Sequence, residues 1–149
     1  MAALARHRLN RAREALREGN ALLDAGAPRG AVSRFYYAAL HAARALLAIR
    51  SVDSARHSGV ITLFQVHFVK TGLIDQHIGR AFPRAFEKRL NTDYADFSEV
   101  TSDEAMLVRT SVSQFVEACA ELLEGLLVEA SGGSPIEPAA GREGEEPRR

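Results

Sequence analysis

Apolar positions recur at steps of three and four along most of the chain, which is the period of helices that bury one face. Within Ala3–Ala25, Leu9, Ala12, Leu16 and Leu23 share a stripe while Arg8, Arg11, Glu14 and Glu18 fall elsewhere. This pattern predicts an amphipathic first helix, ended by Gly26 and Pro28. A second helix runs to about Arg50, with Phe35, Ala38, Ala42, Leu46 and Ile49 as its buried ladder. Its many alanines let neighbouring backbones come close, so it is expected to be central. Ser51–Ala55 reads as a loop, and the first two helices as an antiparallel hairpin.

Val60, Phe64 and Phe68 predict a shorter third helix from His57 to near Thr71-Gly72, where Gly72 suits the left-handed C-terminal position. Leu73 to Arg80 has no decisive pattern. A fourth helix is expected over Ala81–Leu90, with Pro83 in its first turn and Phe82 and Phe86 facing inward. Residues 91–100 read as irregular. Thr101-Ser102-Asp103-Glu104 has the spacing of a capping box and opens a long last helix. The ladder of that helix is Ala105, Val108, Val112, Phe115, Cys119, Leu122 and Leu126, with a second line of Val116, Leu123 and Leu127 beside it. Glu117, Glu121 and Glu124 lie opposite. No strand-like alternation and no internal repeat occur, so the pattern reads as all-α. Ser131-Gly132-Gly133-Ser134-Pro135 and the polar mix after it bury too little apolar area to offset chain entropy. One helical domain over residues 1–130 and a disordered tail over 131–149 are therefore expected.

The 149 residues suffice for one core. A single cysteine, Cys119, excludes an intramolecular disulfide and reads as core, which fits a reducing compartment. No stretch reaches membrane-span length and no export signal is evident, so a cytoplasmic protein is expected. Formal net charge is zero, but it is segregated. Residues 1–43 carry seven Arg against three acids, and 44–90 carry eight Lys or Arg against three acids. Residues 91–130 reverse this, with nine acids against Arg109. A polyanion or an acidic protein surface could use the basic part, and solvated helix faces would leave the same pattern.

The second helix, rich in small residues, sets an Arg, a Tyr and a His along one stripe. Arg34 and His41 are seven positions apart, hence ~20° apart around the axis, with Tyr37 between them. All three project the same way. Metal-free RNA cleavage, a chemistry raised by the family resemblance of this stretch rather than by its geometry, needs a base for the 2′-hydroxyl, an acid for the departing 5′-oxygen and a cation for phosphorane charge. Arg34 and His41 could supply the cation and the base, with a second imidazole from His57 or from another subunit's His41. A structural reading stands beside it, in which Arg34 pairs with Asp93 or another carboxylate and His41 hydrogen-bonds Tyr37 or Tyr94.

Two further groups admit paired readings. Arg56-His57-Ser58-Gly59 could hold phosphate at the start of the third helix, or Ser58 could simply cap it. Arg89 and Asp93 form an i,i+4 pair of opposite charge that reads as a clasp, and with Tyr94 as a nucleotide- or RNA-facing patch. His67 and His77 have no companions at metal-ligand spacing, no phosphate-binding glycine loop or nucleophile elbow occurs, and no metal or cofactor is implied.

Three stretches in this order resemble the HEPN superfamily, and its small stand-alone prokaryotic members in particular. They are Ser33-Arg34-Phe35-Tyr36-Tyr37-Ala38 with His41-Ala42-Ala43-Arg44-Ala45-Leu46-Leu47, then Arg56-His57-Ser58-Gly59-Val60, then Arg89-Leu90-Asn91-Thr92-Asp93-Tyr94. The resemblance covers about Leu9 to Leu127. It implies an all-α, up-and-down bundle of four to five helices, usually a homodimer and often paired with a minimal nucleotidyltransferase in a complex or a toxin–antitoxin pair. Many ribonucleolytic members carry an Arg, four to six residues, then a His. Arg34 and His41 match this spacing, although they lie in the second helix, with Phe35 where a polar residue usually follows the Arg. Three functional readings follow: a nucleotide- or RNA-associated binding module acting with a separate nucleotidyltransferase, a metal-independent endoribonuclease using Arg34 and His41, and an oligomerisation module built on the wide apolar arc of the last helix.

Overall fold

A computed structural model describes residues 1–94 and 99–132, with Tyr94 described by its backbone alone. All regular structure among these residues is helical: α1 (Ala2–Asp24), α2 (Pro28–Ile49), α3 (His57–Phe64) continued by a π-helical turn (Gln65–Val69), a single turn α4 (Gln76–Gly79), α5 (Ala81–Tyr94) and α6 (Ser102–Ala130). The chain is thus the expected all-α bundle. The expected tail falls almost wholly outside the described residues.

The central position expected for α2 is observed, since α1, α3, α5 and α6 all pack on it. Small side chains make the closest of these contacts. On α1 the buried stripe is Ala5, Leu9, Ala12, Ala15 and Gly19, whereas Leu16 and Leu23 sit at its edges. A Cβ on Gly19 would come within 2.5 Å of the Phe35 ring, so the absence of a side chain there sets how closely α1 lies on α2. Between Ala31 and Ala48, only Ser33, Arg34, Tyr37, His41 and Arg44 escape full burial.

The opposite side of α2 meets an aromatic core. Phe64, Phe68, Phe82 and Phe115 come from α3, its π turn, α5 and α6, with ring centroids 5.2–6.1 Å apart in the contacting pairs. Aromatic pairs at these separations favour tilted and edge-on packing, which locks elements in register. Gly72 takes the left-handed conformation expected of it, with φ of 82°. On α6 the buried line is Ala105, Val112, Phe115, Val116, Cys119, Ala120 and Leu123, midway between the two sequence ladders, which leaves Leu122 and Leu126 partly exposed.

Helix ends follow local chemistry except at one place. Thr101 and Glu104 form the capping box, each side chain accepting the other's backbone N–H at 3.0 Å. The N-terminus of α5 lies where Pro83 predicts, but the helix continues through residues 91–94, which the sequence suggested were irregular. Two contacts account for the extra turn. Arg89 pairs with Asp93 across one turn at 3.3 Å, and Arg29 of α2 donates to the Thr92 carbonyl, satisfying one of the acceptors that a helix end exposes.

Candidate functional site

The half-exposed stripe of α2 is built by exclusion. Every other side of that helix is covered by packing, so its polar residues line up where α1 and the following loop leave a seam. Tyr37 is the hub of the seam. The Arg34 guanidinium lies 5.2 Å and that of Arg89 5.1 Å from its ring centroid, and the imidazoles of His41 and His57 lie 6.2 and 6.0 Å away. Arg89 also covers Tyr36 at 5.4 Å, and His57 packs on Tyr36 at 5.7 Å. Cation–π contacts of this kind contribute about 0.5–1 kcal/mol each at exposed sites. The structure therefore gathers Arg34, Tyr37, His41, His57 and Arg89 around one ring.

The arginines are tied down by carboxylates. Arg34 pairs with Glu18 of α1 at 3.2 Å, so the carboxylate it finds is not Asp93, which belongs to Arg89. Both contacts are ion pairs made through Nε without hydrogen-bond alignment. His41 meets Tyr37 ring to ring rather than through a hydrogen bond. The Tyr94 side chain lies outside the described residues, so its suggested roles in hydrogen bonding and stacking do too.

His41 has the most perturbed environment of the seam. Burial comes first, and four guanidiniums add to it, those of Arg11, Arg34, Arg44 and Arg8, bringing its pKa down to about 4. It is therefore neutral at pH 7, with one ring nitrogen free to accept a proton. Burial, with help from Arg89 and Arg44, lowers His57 as well. Burial also pushes the Tyr36 phenol far up, and its hydroxyl has no hydrogen-bond partner among the described residues.

At the start of α3 the structure corrects the capping assignment. Arg56 is the N-cap residue and no side chain caps the helix; Ser58 lies inside the first turn, where its carbonyl accepts from Thr62. Ser54 accepts the Arg56 N–H through Oγ at 3.2 Å instead. A Cβ on Gly59 would fall 2.1 Å from that Oγ, which gives the glycine of this stretch a packing reason. Arg56 itself is exposed and stands at the edge of the seam.

Four contributors were not singled out from sequence. Arg44 continues the 34, 37, 41 spacing by three and was legible in principle. Tyr36 lies on the Val32–Leu40 side of α2 and only its neighbours in space reveal its link to His57. Arg8 and Arg11 come from α1, so only the helix pairing shows that they face His41. Among the described residues, no group of three His, Cys, Asp or Glu side chains is placed to hold a metal ion, and no helix is long and apolar enough to cross a membrane.

Comparison with known proteins agrees with this architecture. The family model described as HEPN domain matches residues 5–123. A UPF0332 protein of Thermotoga maritima is 34% identical over 116 residues, covering 78% of this chain and 88% of its own. A Methanocaldococcus jannaschii protein named "Putative toxin MJ0605" is 33% identical over 99 residues, covering 66% of this chain and 73% of its own. A Gloeobacter violaceus UPF0332 protein is 30% identical over 116 residues, covering 77% and 92% respectively. With the model match spanning nearly all of the helical bundle, the chain belongs to the HEPN domain family.

Proposed function

We propose that this protein has a toxin-like role in which the seam around Tyr37 binds RNA phosphates, and that it acts with a separate nucleotidyltransferase in a toxin–antitoxin-type system. The carrying observation is the gathering of guanidiniums along the seam: those of Arg34 and Arg89 lie 5.2 and 5.1 Å from the Tyr37 ring centroid, and Arg8 and Arg44 share the single carboxylate of Asp53. Guanidiniums suit phosphate because their planar donors match two of its oxygens at once. The relatives named as toxins support the biological side of the reading.

A second reading, metal-independent ribonuclease activity, is favoured by the protonation state of His41. A neutral imidazole can take the 2′-hydroxyl proton as the 2′-oxygen attacks phosphorus. The P–O5′ bond then breaks, leaving a 2′,3′-cyclic phosphate, while an acid protonates the departing 5′-oxygen. Arg34 would neutralise the phosphorane, and because burial, Arg89 and Arg44 lower the His57 pKa, the acid would come from a second copy of the chain.

One experiment separates the readings. Binding and cleavage of a labelled single-stranded RNA are measured for the native protein, Arg34→Ala and His41→Ala, with circular dichroism confirming the fold of each. The binding role predicts salt-dependent affinity that Arg34→Ala weakens severalfold. The ribonuclease role adds cleavage that both substitutions abolish. RNA affinity absent from the native protein would end both.

A further inference from the structure

Single carboxylates match most guanidiniums of the seam: Glu18 faces Arg34 at 3.2 Å, Glu14 faces Arg11 at 3.6 Å and Asp93 faces Arg89 at 3.3 Å. Asp53 is different. One of its oxygens, Oδ2, lies 2.8 Å from Nη2 of Arg44 and 3.6 Å from Nη2 of Arg8. Arg8 also donates through Nη1 to the Arg44 backbone carbonyl at 3.1 Å, which anchors the Arg8 guanidinium on α2. Two cations thus share one anion, and this trio keeps a surplus positive charge.

The arrangement is layered. Asp53 is 43% exposed, Arg44 32% and Arg8 19%, so the carboxylate sits outermost and the guanidiniums lie behind it. Asp53 is fixed to the loop between α2 and α3 by its other oxygen, which accepts the Ser54 N–H at 2.8 Å. Nε of Arg44 is buried and has no acceptor among the described residues, so Asp53 engages that guanidinium through Nη2. A phosphodiester carries two unesterified oxygens and could engage both guanidiniums in place of the single Oδ2. Arg44 follows His41 by three positions on α2, so such a site lies within one helical turn of the imidazole of the seam.

We propose that Arg8 and Arg44 form a phosphate subsite and that Asp53 is its built-in competitor, an intramolecular carboxylate that an RNA phosphate must displace. The inference rests on the reading of the seam as an RNA-binding surface. It adds which part of the seam takes a backbone phosphate and which residue limits its affinity. Asp53→Asn keeps the side-chain shape and the acceptor for the Ser54 N–H while removing the charge. Arg44→Ala opposes it by leaving Asp53 with Arg8 alone.

The test measures the affinity of native protein, Asp53→Asn, Arg44→Ala and the double variant for a labelled oligouridine across a salt series, and for inorganic pyrophosphate by NMR titration. Thermal melts check that each variant is folded. Asp53→Asn should bind both probes about fivefold more tightly, the scale of one removed like charge at contact distance in a solvated site. Its dependence of log affinity on log salt should steepen by about 0.7, the increment for one phosphate of a single strand. Arg44→Ala should weaken binding, and the double variant should lose the gain. If the native protein binds RNA and folded Asp53→Asn binds it no more tightly, the competitor role is wrong while the RNA-binding reading stands. If Asp53→Asn gains pyrophosphate affinity but no form binds RNA, the subsite stands and the RNA-binding reading falls. Binding of neither probe by any form overturns both.

Discussion

Protonating His41 should destabilise the protein, and the size of the effect can be worked from its surroundings. In the unfolded chain the imidazole titrates near its ordinary value of 6.5, whereas in the fold burial and Arg11, Arg34, Arg44 and Arg8 hold it at about 4. The folded pKa is the lower one, so the unfolded state takes up the proton first as pH falls. The contribution of His41 is complete above about pH 6.5 and is lost progressively down to about pH 4. Between pH 7 and pH 5 the linkage amounts to about 2 kcal/mol for such a pair of values. His41 is half-exposed and its guanidinium neighbours are themselves screened, so about 1 kcal/mol is the expected loss. The window is chosen to avoid Asp53 and Glu104, whose lowered carboxyl values matter mainly below pH 5. His57 is also lowered and acts in the same direction, so the native protein alone does not isolate His41. Urea denaturation of native protein and His41→Gln at pH 7 and pH 5 does. The native protein should lose about 1 kcal/mol more than the variant over this interval. Equal losses would refute the account of His41 as a neutral residue held among cations.

Two glycines in helices should respond oppositely to alanine. Gly19→Ala gains about 1 kcal/mol of helix propensity but sets a Cβ 2.5 Å from the buried Phe35 ring, and overpacking of this kind costs about 1–3 kcal/mol, so the denaturation midpoint should fall. Gly125→Ala meets nothing within 4 Å and should raise it; the same sign for both would contradict the α1–α2 contact described. Thr101→Ala removes the acceptor for the Glu104 N–H and should destabilise by about 1 kcal/mol in the same assay, with no change showing that the capping box is energetically idle.

What the sequence disclosed divides along a physical line. Helices announce themselves through period and through caps made by near neighbours, so α1, α2, the capping box of α6 and the turn at Gly72 were all legible. The last turn of α5 was not, because it depends on Arg29, which arrives from α2 more than sixty positions away to meet the Thr92 carbonyl. The site divides in the same way. Arg34, Tyr37 and His41 share a stripe that helical geometry alone supplies, and the Arg89–Asp93 pair is one turn long. The partners that define the chemistry come from other elements: Glu18 for Arg34, Arg8 and Arg11 for His41, His57 for Tyr37. No pattern within one helix specifies them. Ser58 shows the converse error, since a residue type apt for capping lies inside the first turn, two positions past the cap, and Arg56 occupies the cap position.

The polar residues of the seam go beyond what covering α2 requires. A buried helix such as α2 needs only small and apolar side chains on its covered faces, and it has them at Phe35, Ala38, Ala42 and Leu46. On the uncovered stripe an exposed polar surface would suffice for solubility. Instead the stripe places a neutral imidazole among four guanidiniums, an arrangement in which His41 loses its charge and its cations are only partly neutralised by Glu14, Glu18 and Asp53. Like charges held close in the absence of a matching anion oppose folding, and an anion that enters relieves them. The same electrostatics that make His41 a sensitive reporter of pH therefore favour a phosphate beside it, and an anion bound there should bring the His41 pKa back toward its ordinary value.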